Sequence, residues 1–504
     1  MDIAGGLLIG FQTIFHLDVV FYCFVGVFIG TLVGVLPGIG PVGAMSILLP
    51  STFGISPTAS IVMLAGIYYG SQYGGSTTSI LVNIPGEASS IVTCLDGYQM
   101  ARKGRAGVAL GMSALGSFIG GTLAIVGLML LVFPLAATAV KFGPAEIFAV
   151  MCLAMTLLTY LSAGSVLDSF IMIAFGLIIG CVGMDPIEAL PRFSFGSTTL
   201  LDGFGLVPVV MGLFGITEVL TNVASPEERI IFKATIKNLF PNLADWKRSI
   251  GPILRGSVMG FFLGILPGGG AVMASFASYA TEKKMSKHPE EFGQGAIEGV
   301  AGPETANNAA AGGAFVPMLA LGIPPNALMA LLLGAMVIHG ISPGPLLMVQ
   351  HPEVFWGVIA SMYMGNVMLL ILNLPLIGMW VKVLKVPYSL LMPLILLCCL
   401  IGSYATGDNI WDIVIMVVFG VIGYILRKFS YELAPFVLAL VLGPLMETNF
   451  RNALLLSDGS FMIFLTKPIS ATLLAIAALL LLSTGFSSYK KAKTKIVEEV
   501  GTGD

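Results

Sequence analysis

Two stretches of the chain share a Pro-Gly element, GVLPGIGP at residues 34–41 and GILPGGGA at residues 264–271. Each lies within long apolar sequence. The shared frame extends beyond the elements, because one constant offset pairs Gly26, Gly30, Gly34, Leu36, Pro37, Gly38, Gly40, Val42 and Ala44 with Gly256, Gly260, Gly264, Leu266, Pro267, Gly268, Gly270, Val272 and Ala274. The pattern predicts an internally duplicated chain.

The composition is that of a polytopic membrane protein. Of the 504 residues, 56% are hydrophobic and only 10% are charged, and the mean hydropathy is +0.96. Residues 19–86, 106–140, 354–381 and 468–489 contain no Asp, Glu, Lys or Arg, and a helix needs about 20 residues to cross a bilayer. We expect roughly 10 to 14 membrane segments, nearly all helical, because lipid offers unpaired backbone groups no partner.

The distribution of charge predicts that the two repeats have opposite orientations. The loop TEKKMSKHPEEFG after the second Pro-Gly element is densely charged, whereas its counterpart STFGISPTAS carries no charge. Conversely, the basic loop LDGYQMARKGRAG of the first half corresponds to the uncharged VIHGISPGPL of the second. Basic loops stay on the cytoplasmic side, so this antisymmetry is typical of inverted-topology repeats.

Each repeat is predicted to contain a re-entrant hairpin and a broken helix. The Pro-Gly turn would form the tip of the hairpin, and an arm of about 12 residues would rise about 18 Å, past the midplane of the bilayer. The stretches YGSQYGGSTTSILVNIPGEASS and EGVAGPETANNAAAGGAFVPMLALGIPP follow. Their polar, Gly/Pro-interrupted centres are tolerated in a membrane only beside a cavity or against protein.

This organisation gives four predicted segments. Residues 1–221 form the first membrane repeat and residues 251–489 the second. Residues 222–250 mix apolar and charged side chains, which predicts an amphipathic cytoplasmic connector or a solvated linker. Residues 490–504 form a basic, polar cytoplasmic tail.

Polar residues at the predicted breaks suit an anion together with a cation. Gly and Pro at a turn let backbone N–H groups approach a ligand, and a helix that begins there directs its positive dipole end at it. No Lys or Arg lies between residues 19 and 101, 256 and 281, or 288 and 381. A buried carboxylate ligand therefore needs charge balance from elsewhere, and a bound Na+ or H+ is the natural source. Glu304, Thr305 and Asn307 are the candidates for cation coupling, with Glu87 as a second acid.

Other classes of function lack their motifs. The four His and six Cys residues show no metal-ligand spacing, no nucleophile elbow is present, and the chain has no Gly-Lys dipeptide to end a P-loop. The sequence therefore predicts no enzyme, no cofactor, no metal site beyond bound Na+ and no nucleic-acid partner.

The motifs GVLPGIGP, YGGSTTSILVNIPG, LDGYQMARKGRAG and GAIEGVAGPETANNAAAGGAFVPMLALGIPP together resemble the large permease subunit of tripartite tricarboxylate transporters, the TctA type. The likeness spans nearly the whole chain. It implies a bacterial inner-membrane protein that works with a small membrane subunit of the TctB type and a periplasmic solute-binding protein of the TctC type. It further implies import of citrate or related carboxylates driven by a cation gradient.

By analogy with related transporters, the resemblance implies an elevator movement of paired hairpins and broken helices. The residues expected to bind substrate are Gly38, Gly40, Ser76, Thr77, Thr78, Asn83, Pro85, Gly268, Gly270, Asn307, Asn308, Gly312 and Pro324.

Two alternatives remain open at this stage. A passive anion channel would also use helix breaks and polar linings, and a scaffold subunit would leave transport to a partner. The choice of carboxylate, Na+ against H+, and the oligomeric state cannot be read from this sequence.

Overall fold

The structure, a computed structural model, describes residues 3–36, 40–161, 165–224, 239–268, 270–384, 386 and 388–483. Its first ten α-helices are α1 (Ile3–Ile14), α2 (Leu17–Val35), α3 (Pro41–Leu48), α4 (Pro57–Val82), α5 (Ile91–Met100), α6 (Ala106–Ala139), α7 (Pro144–Leu161), α8 (Val166–Gly180), α9 (Leu206–Val210) and α10 (Thr217–Ala224). The next are α11 (Leu243–Ile265), α12 (Gly270–Met285), α13 (Glu298–Gly313), α14 (Phe315–Leu321), α15 (Ala327–Ile338), α16 (Leu347–Gln350), α17 (Pro352–Asn373), α18 (Ile377–Val383), α19 (Tyr388–Gly407), α20 (Ile410–Lys428), α21 (Ala434–Leu456) and α22 (Ile463–Thr466). The last is α23 (Pro468–Ser483).

Shorter elements complete the secondary structure. Strands β1 (Gly183–Met184) and β2 (Pro191–Arg192) pair antiparallel. Single turns of 3₁₀ or π helix lie at Leu49–Gly54, Ala88–Ser90, Ala101–Arg105, Thr199–Asp202, Met211–Ile216 and Pro289–Glu291. The predicted all-α class is therefore confirmed.

The chain forms two compact units. The first contains Met1–Val140 and Phe204–Phe429, and the second contains Lys141–Gly203 and Ser430–Asp504. Each unit takes sequence from before and after the predicted connector at 222–250. The predicted division into two repeats is a statement about sequence duplication and stays a prediction.

In the first unit, α2 packs along α4 at main-chain distance. A methyl group at Gly26 would come within 2.2 Å of the carbonyl oxygen of Met63, and one at Gly34 within 2.3 Å of the carbonyl oxygen of Ser71. Small residues at four-residue spacing allow helices in a membrane to approach this closely. The glycines of the first repeat therefore form a contact face for α4.

The pair α11 and α13 packs in the same way. A methyl group at Gly260 would lie 2.1 Å from the carbonyl oxygen of Ala306, and one at Gly264 would lie 2.2 Å from that of Ala310. The glycines that recur in the sequence thus make equivalent contacts in the two halves. This equivalence supports duplication, while the inverted orientation of the repeats stays a prediction.

The helices that follow each Pro-Gly element end alike. Helix α4 ends at Asn83, which has φ of 61°, and α14 ends at Gly322, which has φ of 71°. An Ile-Pro pair follows in both cases, and the next helical turn begins after a polar residue, Glu87 or Asn326. A left-handed residue closes a helix, and proline cannot continue it.

These breaks lie later than the sequence suggested. The polar residues 69–82 all belong to α4, which is continuous, and α13 continues through Pro303. Both helices are almost completely buried, so their polar side chains find partners on neighbouring helices without interrupting the backbone.

The arms before the Pro-Gly elements are longer than predicted. Helix α2 has 19 residues and α11 has 23, so they rise about 28 and 34 Å, whereas arms of about half a bilayer were expected. No proline or charged residue interrupts α2 after Asp18. Residues 37–39 and 269 of the Pro-Gly elements lie outside the described residues.

Five described helical segments are long and apolar enough to cross a membrane: Leu17–Val35, Ala88–Ala139, Leu206–Ala224, Pro352–Asn373 and Ile410–Lys428. Shorter apolar helices accompany them, α1, α7, α8, α15, α19 and α23 among them. These are the features of a multi-pass membrane protein, and the number of 10 to 14 membrane segments stays a prediction. Much of the predicted connector, residues 225–238, and the predicted tail lie outside the described residues.

In the second unit, α21 packs along α7 and α8, and an ion-pair cluster ties the β-hairpin to α21. Arg192 of β2 pairs with Glu447 at 2.6 Å, and Arg451 pairs with Asp185 at 2.6 Å. The cluster holds the hairpin to one end of a helix.

Candidate functional site

Glu304 on α13 lies at the centre of a group of hydroxyl side chains within the first unit. Its carboxylate accepts hydrogen bonds from Ser76 on α4, from Thr93 on α5, and from Ser113 on α6 at 3.2 Å. Glu304 has no exposed surface. Four helices therefore bring four polar side chains to one buried point, and we call this group the Glu304 hydroxyl cage.

Asn307 and Asn308 lie one turn further along α13. The amide nitrogen of Asn308 donates to the hydroxyl of Ser117 at 2.8 Å, to the carbonyl oxygen of Glu304 at 3.0 Å, and to the side-chain oxygen of Asn307 at 2.6 Å. Asn307 has no exposed surface, and its amide nitrogen makes no hydrogen bond of good geometry in the described structure, although it interacts with the carboxylate of Glu304. A buried donor of this kind is available to a ligand.

A second carboxylate, that of Glu87, lies in the break after α4. It accepts hydrogen bonds from the hydroxyl of Ser89 and from the amide nitrogen of Gln72 at 3.0 Å. Ser89 also donates to the side-chain oxygen of Gln72 at 2.9 Å. Gln72, which bonds to Glu87, precedes Ser76, which bonds to Glu304, by one helical turn. Adjacent turns of α4 therefore contact the two carboxylates.

Each Pro-Gly element contacts the break of its own repeat. A methyl group at Gly86 would lie 1.9 Å from the carbonyl oxygen of Gly34, so the first break touches the end of α2. In the second repeat, the backbone N–H of Gly268 donates to the carbonyl oxygen of Pro325 at 3.0 Å. Pro85 and Pro324 therefore lie beside the Pro-Gly elements, whose glycines belong to the same predicted substrate-binding set.

One contact joins α4 to the break of the other repeat. The amide nitrogen of Asn326 donates to the hydroxyl of Tyr68 at 3.1 Å, while its side-chain oxygen accepts from the backbone N–H of Met329 at 3.0 Å. Asn326 thus caps α15 and binds α4 at once.

The remaining predicted residues have more varied surroundings. Thr78 donates to the carbonyl oxygen of Val35 at 2.7 Å, and Thr77 is buried in α4. Asn83 is exposed at the break. Gly40 and Gly270 begin α3 and α12 with positive φ, and a methyl group at either would meet no atom within 4 Å.

Two predicted residues face α6, and one lies outside the described chain. Thr305 donates to the carbonyl oxygen of Ala301 at 2.7 Å, its own preceding turn, and packs against Gly116 and Gly120. Gly312 packs against Ala124. Gly38 lies outside the described residues. The hydroxyl cage therefore includes Ser76 and Glu304 of the predicted set but not the hydroxyl of Thr305.

A small cavity lies beside Asn308. It measures about 20 Å³, and Tyr69, Tyr73, Gly312 and Asn366 contribute to its wall. That volume holds roughly one water molecule. The hydroxyl of Tyr73 donates to the side-chain oxygen of Asn366 at 2.5 Å across it.

Sequence reasoning missed Thr93, Ser113 and Ser117. All three lie in helices that follow the first break, and none belongs to a repeated motif. The signal that could have found two of them is the spacing of Ser113 and Ser117, which places both hydroxyls on one face of an otherwise apolar helix.

Comparison with known proteins adds independent information. The family model for the tripartite tricarboxylate transporter TctA family matches residues 20–438. A protein of Agrobacterium vitis described as "Uncharacterized 52.8 kDa protein in TAR-I ttuC' 3'region" is 49% identical over 499 residues, which is 99% of each chain. A second from the same organism, "Uncharacterized protein in TAR-II ttuC' 3'region", is 49% identical over 240 residues, 48% of this chain and 99% of that protein. No solved structure matches the chain.

The family match covers most of the chain and includes both Pro-Gly elements, both helix breaks and the hydroxyl cage. The full-length relative extends the similarity to nearly every residue. The chain therefore belongs to the tripartite tricarboxylate transporter TctA family.

Proposed function

We propose that this protein is the large membrane subunit of a binding-protein-dependent secondary transporter that imports citrate, other tricarboxylates or related carboxylates. The TctA family is a family of transporters, and its members form the large subunit of tripartite systems. A small membrane subunit and a periplasmic solute-binding protein would complete the system in a bacterial inner membrane. The driving force would be an inward gradient of Na+ or H+.

The observation that carries this proposal is the pairing of a helix break with a Pro-Gly element in each repeat. Gly34 contacts Gly86 in the first repeat, and Gly268 bonds to Pro325 in the second. Paired breaks of this kind are typical of secondary transporters, in which substrate and ion sites form where helices are discontinuous. A passive pore does not require them in duplicate.

The substrate would bind beside the Pro-Gly elements. Helices α3 and α12 begin after Gly40 and at Gly270, and the first N–H groups of a helix attract an anion. The open space around both glycines leaves main-chain donors accessible. Neighbouring polar groups on α4 and α13, such as Thr77 and Asn307, would supply further hydrogen bonds to the carboxylates or their hydroxyl group.

Charge balance favours a co-transported cation. The described partners of Glu304 and Glu87 are hydroxyl and amide groups rather than Lys or Arg. A carboxylate substrate in this setting would add negative charge without a fixed countercharge, which is costly in a low-dielectric interior. An elevator movement that carries both repeats together would then transfer a nearly neutral complex of substrate and cation.

Labelled citrate uptake tests the proposal. The chain, its small membrane subunit and the cognate binding protein are reconstituted in proteoliposomes, and an inward Na+ or H+ gradient is imposed or collapsed. Accumulation above the external concentration that requires a gradient supports the proposal. Equilibration that ignores every gradient supports a channel, and uptake by vesicles that lack this chain supports a scaffold role.

The matched controls separate chemistry from assembly. Thr77→Val removes a hydroxyl from the proposed substrate region, and uptake should fall at least about tenfold, a change of about 1.4 kcal/mol. Thr159→Val removes a hydroxyl that bonds to the carbonyl oxygen of Met155 in its own helix, and uptake should stay normal. Both variants should elute from size-exclusion chromatography like the unmodified protein.

A further inference from the structure

The first unit contains two carboxylates without exposed surface, Asp96 and Glu304, and their hydrogen-bond donors differ in kind. Asp96 accepts three backbone N–H groups from residues 293–296 at 2.6 to 2.9 Å and the hydroxyl of Tyr279 at 2.9 Å. A backbone N–H can donate but cannot accept. Three of the four donors to Asp96 therefore cannot reverse, which suits a carboxylate that holds a loop in place.

The hydrogen-bond donors to Glu304 are three hydroxyl groups, and the side-chain amide of Asn307 also interacts with its carboxylate. Thr93 donates to one carboxylate oxygen, and Ser76 and Ser113 donate to the other. A hydroxyl can rotate, and it can accept a hydrogen bond as well as donate one. When Glu304 is ionised, the three hydroxyls donate to it; when Glu304 is protonated, one of them turns and accepts its proton. The Glu304 hydroxyl cage therefore offers three groups that can reverse their hydrogen bonds, whereas at Asp96 only the hydroxyl of Tyr279 can do so and the three backbone N–H groups cannot.

No basic side chain neutralises Glu304 among the described ion pairs. On α11, which packs along α13, the guanidinium of Arg255 pairs with Glu282 on α12. A buried ionised carboxylate without a cation is expensive, so a proton is the smallest species that can neutralise it. A proton can lie between a carboxylate oxygen of Glu304 and a hydroxyl that already contacts it. Protonation therefore needs no displacement of side chains.

Other titratable or charged groups surround α13 from the elements packed against it. They are Tyr68, Tyr69 and Tyr73 on α4, Glu87 in the break after it, Cys94, Asp96 and Tyr98 on α5, Asp245, Lys247, Arg248 and Arg255 on α11, and Tyr279, Glu282, Lys283 and Lys284 on α12. Helix α6 contributes none. Asp96 and Glu282 are held by the partners named above. Glu87 and Cys94 interact electrostatically with Glu304, so Glu87 is the second acid that senses the charge on Glu304.

We infer that Glu304 is the proton carrier of this transporter, which makes the coupling ion H+ rather than Na+. The inference rests on the proposed function and names the ion for it. In the outward-facing state, a proton from water forms an O–H bond with a carboxylate oxygen of Glu304, and the neutral site then crosses with its carboxylate substrate. In the inward-facing state, that O–H bond breaks and the proton returns to water on the cytoplasmic side.

The variant Glu304→Gln tests the inference because it has the shape of the protonated acid but cannot release a proton. Proteoliposomes are loaded with unlabelled citrate, and exchange with external labelled citrate is compared with accumulation driven by an inward proton gradient. Exchange needs no deprotonation, so Glu304→Gln should retain it within about threefold and lose its dependence on pH, while accumulation falls at least about tenfold. A pH-sensitive dye inside the vesicles should report proton entry with citrate only in the unmodified protein.

Thr93→Val provides a second test if Glu304→Gln does not assemble. Removal of one hydroxyl from the cage should shift the pH midpoint of exchange, whereas Thr159→Val, whose hydroxyl bonds within its own helix, should not. The inference is overturned if Glu304→Gln accumulates citrate normally, if Thr93→Val leaves the pH profile unchanged, or if a Na+ gradient alone drives accumulation without proton entry. In those cases the unmodified protein still accumulates citrate, so the proposed function survives; absence of accumulation under any gradient would contradict the proposed function instead.

Discussion

The hydroxyl of Ser76 donates to the carboxylate of Glu304 although the two residues are 228 positions apart in the chain. One belongs to α4 in the first half of the chain and the other to α13 in the second half. The contact forms only when these two parts of the chain have folded against each other. The Glu304 hydroxyl cage is therefore a product of tertiary structure and cannot form within either half alone.

Loss of the Ser76 hydroxyl should destabilise the protein through its effect on Glu304. We expect Ser76→Ala to cost about 1 to 3 kcal/mol, because a hydrogen bond to a buried carboxylate is lost. The cost should shrink when Glu304→Gln is also present, since the two side chains interact directly. Thermal unfolding of the four proteins in detergent measures this coupling. Ser275→Ala is the control, since Ser275 bonds only to the carbonyl oxygen of Ala271; an equal loss in that variant would contradict the prediction.

The glycine contacts predict strong sensitivity to a single methyl group. Gly260→Ala places a methyl group 2.1 Å from the carbonyl oxygen of Ala306, and main chain cannot move aside as a flexible side chain can. We expect a loss of at least about 1 to 3 kcal/mol. Gly378→Ala meets no atom within 4 Å and should be neutral. Size-exclusion profiles after a temperature series measure both, and similar unfolding temperatures would show that α11 and α13 are not in close contact.

Asp96 should act as a structural anchor. Asp96→Ala removes the acceptor of three backbone N–H groups of residues 293–296, of which Ala296 is buried and Gly293 is exposed, so we expect a loss of about 1 to 3 kcal/mol in all. Asp96→Asn keeps one acceptor oxygen and should lose less. Unfolding temperature and the yield of monodisperse protein should be highest for the unmodified protein, lower for Asp96→Asn and lowest for Asp96→Ala. A protein in which Asn and Ala behave alike would mean that the amides find other acceptors.

The double role of Asn326 can be separated by substitution. Asn326→Ser retains a side-chain oxygen that caps α15 but cannot reach Tyr68, whereas Asn326→Ala loses both contacts. Loss of the cap should cost about 1 kcal/mol, so Ala should be the less stable of the two by that amount. Tyr68→Phe should lower the stability of the unmodified protein but leave that of Asn326→Ser unchanged. Chemical denaturation in detergent followed by Trp fluorescence measures these differences.

The β-hairpin of the second unit should weaken in acid. The backbone N–H groups of Glu188 and Ile187, followed by the guanidinium of Arg451, hold the pKa of Asp185 well below its ordinary value. Because the folded-state pKa is lowered, the stabilisation is complete above the ordinary carboxyl pKa of about 4. It is lost as the pH falls from there through the lower folded-state value.

Hydrogen–deuterium exchange of residues 183–192 tests this expectation. Asp185→Ala should exchange faster than the unmodified protein at neutral pH, and the difference should shrink as the pH falls below about 4. Each comparison is made at one pH, so that the intrinsic exchange rate cancels. A difference that does not change with pH would show that the charge of Asp185 plays no part.

The sequence predicted the helical class, the membrane character and the family, because these depend on composition and on repeated glycines. It placed Ser76 among the substrate-binding residues and Glu304 among those for cation coupling, and both assignments stay predictions. It placed the helix breaks too early, since the polar residues of α4 suggested an interruption where burial against α2 and α13 keeps the helix continuous. Local pattern carries no information about such partners.

Other parts of the site were beyond sequence reasoning for the same reason. The role of Thr93 and Ser113 depends on where α5 and α6 cross α13, and the spacing of Ser113 and Ser117 alone does not name the carboxylate that they meet. Asp96 looked like one charge in a basic loop, whereas the fold buries it beneath residues 293–296. Charge and periodicity describe a single helix, whereas these contacts depend on the relative positions of three or four helices.

The glycine contact faces have a consequence for how this protein can diversify. The contacts of α2 with α4, and of α11 with α13, set Gly26, Gly34, Gly260 and Gly264 against main-chain atoms of α4 and α13, so they depend on these glycines and not on the side chains of the partner helix. The opposite faces of α2 and α11 carry large exposed apolar side chains such as Phe21, Phe24, Val258 and Phe262. Those outward positions can change without altering the glycine contacts, so the interior geometry of each helix pair is preserved.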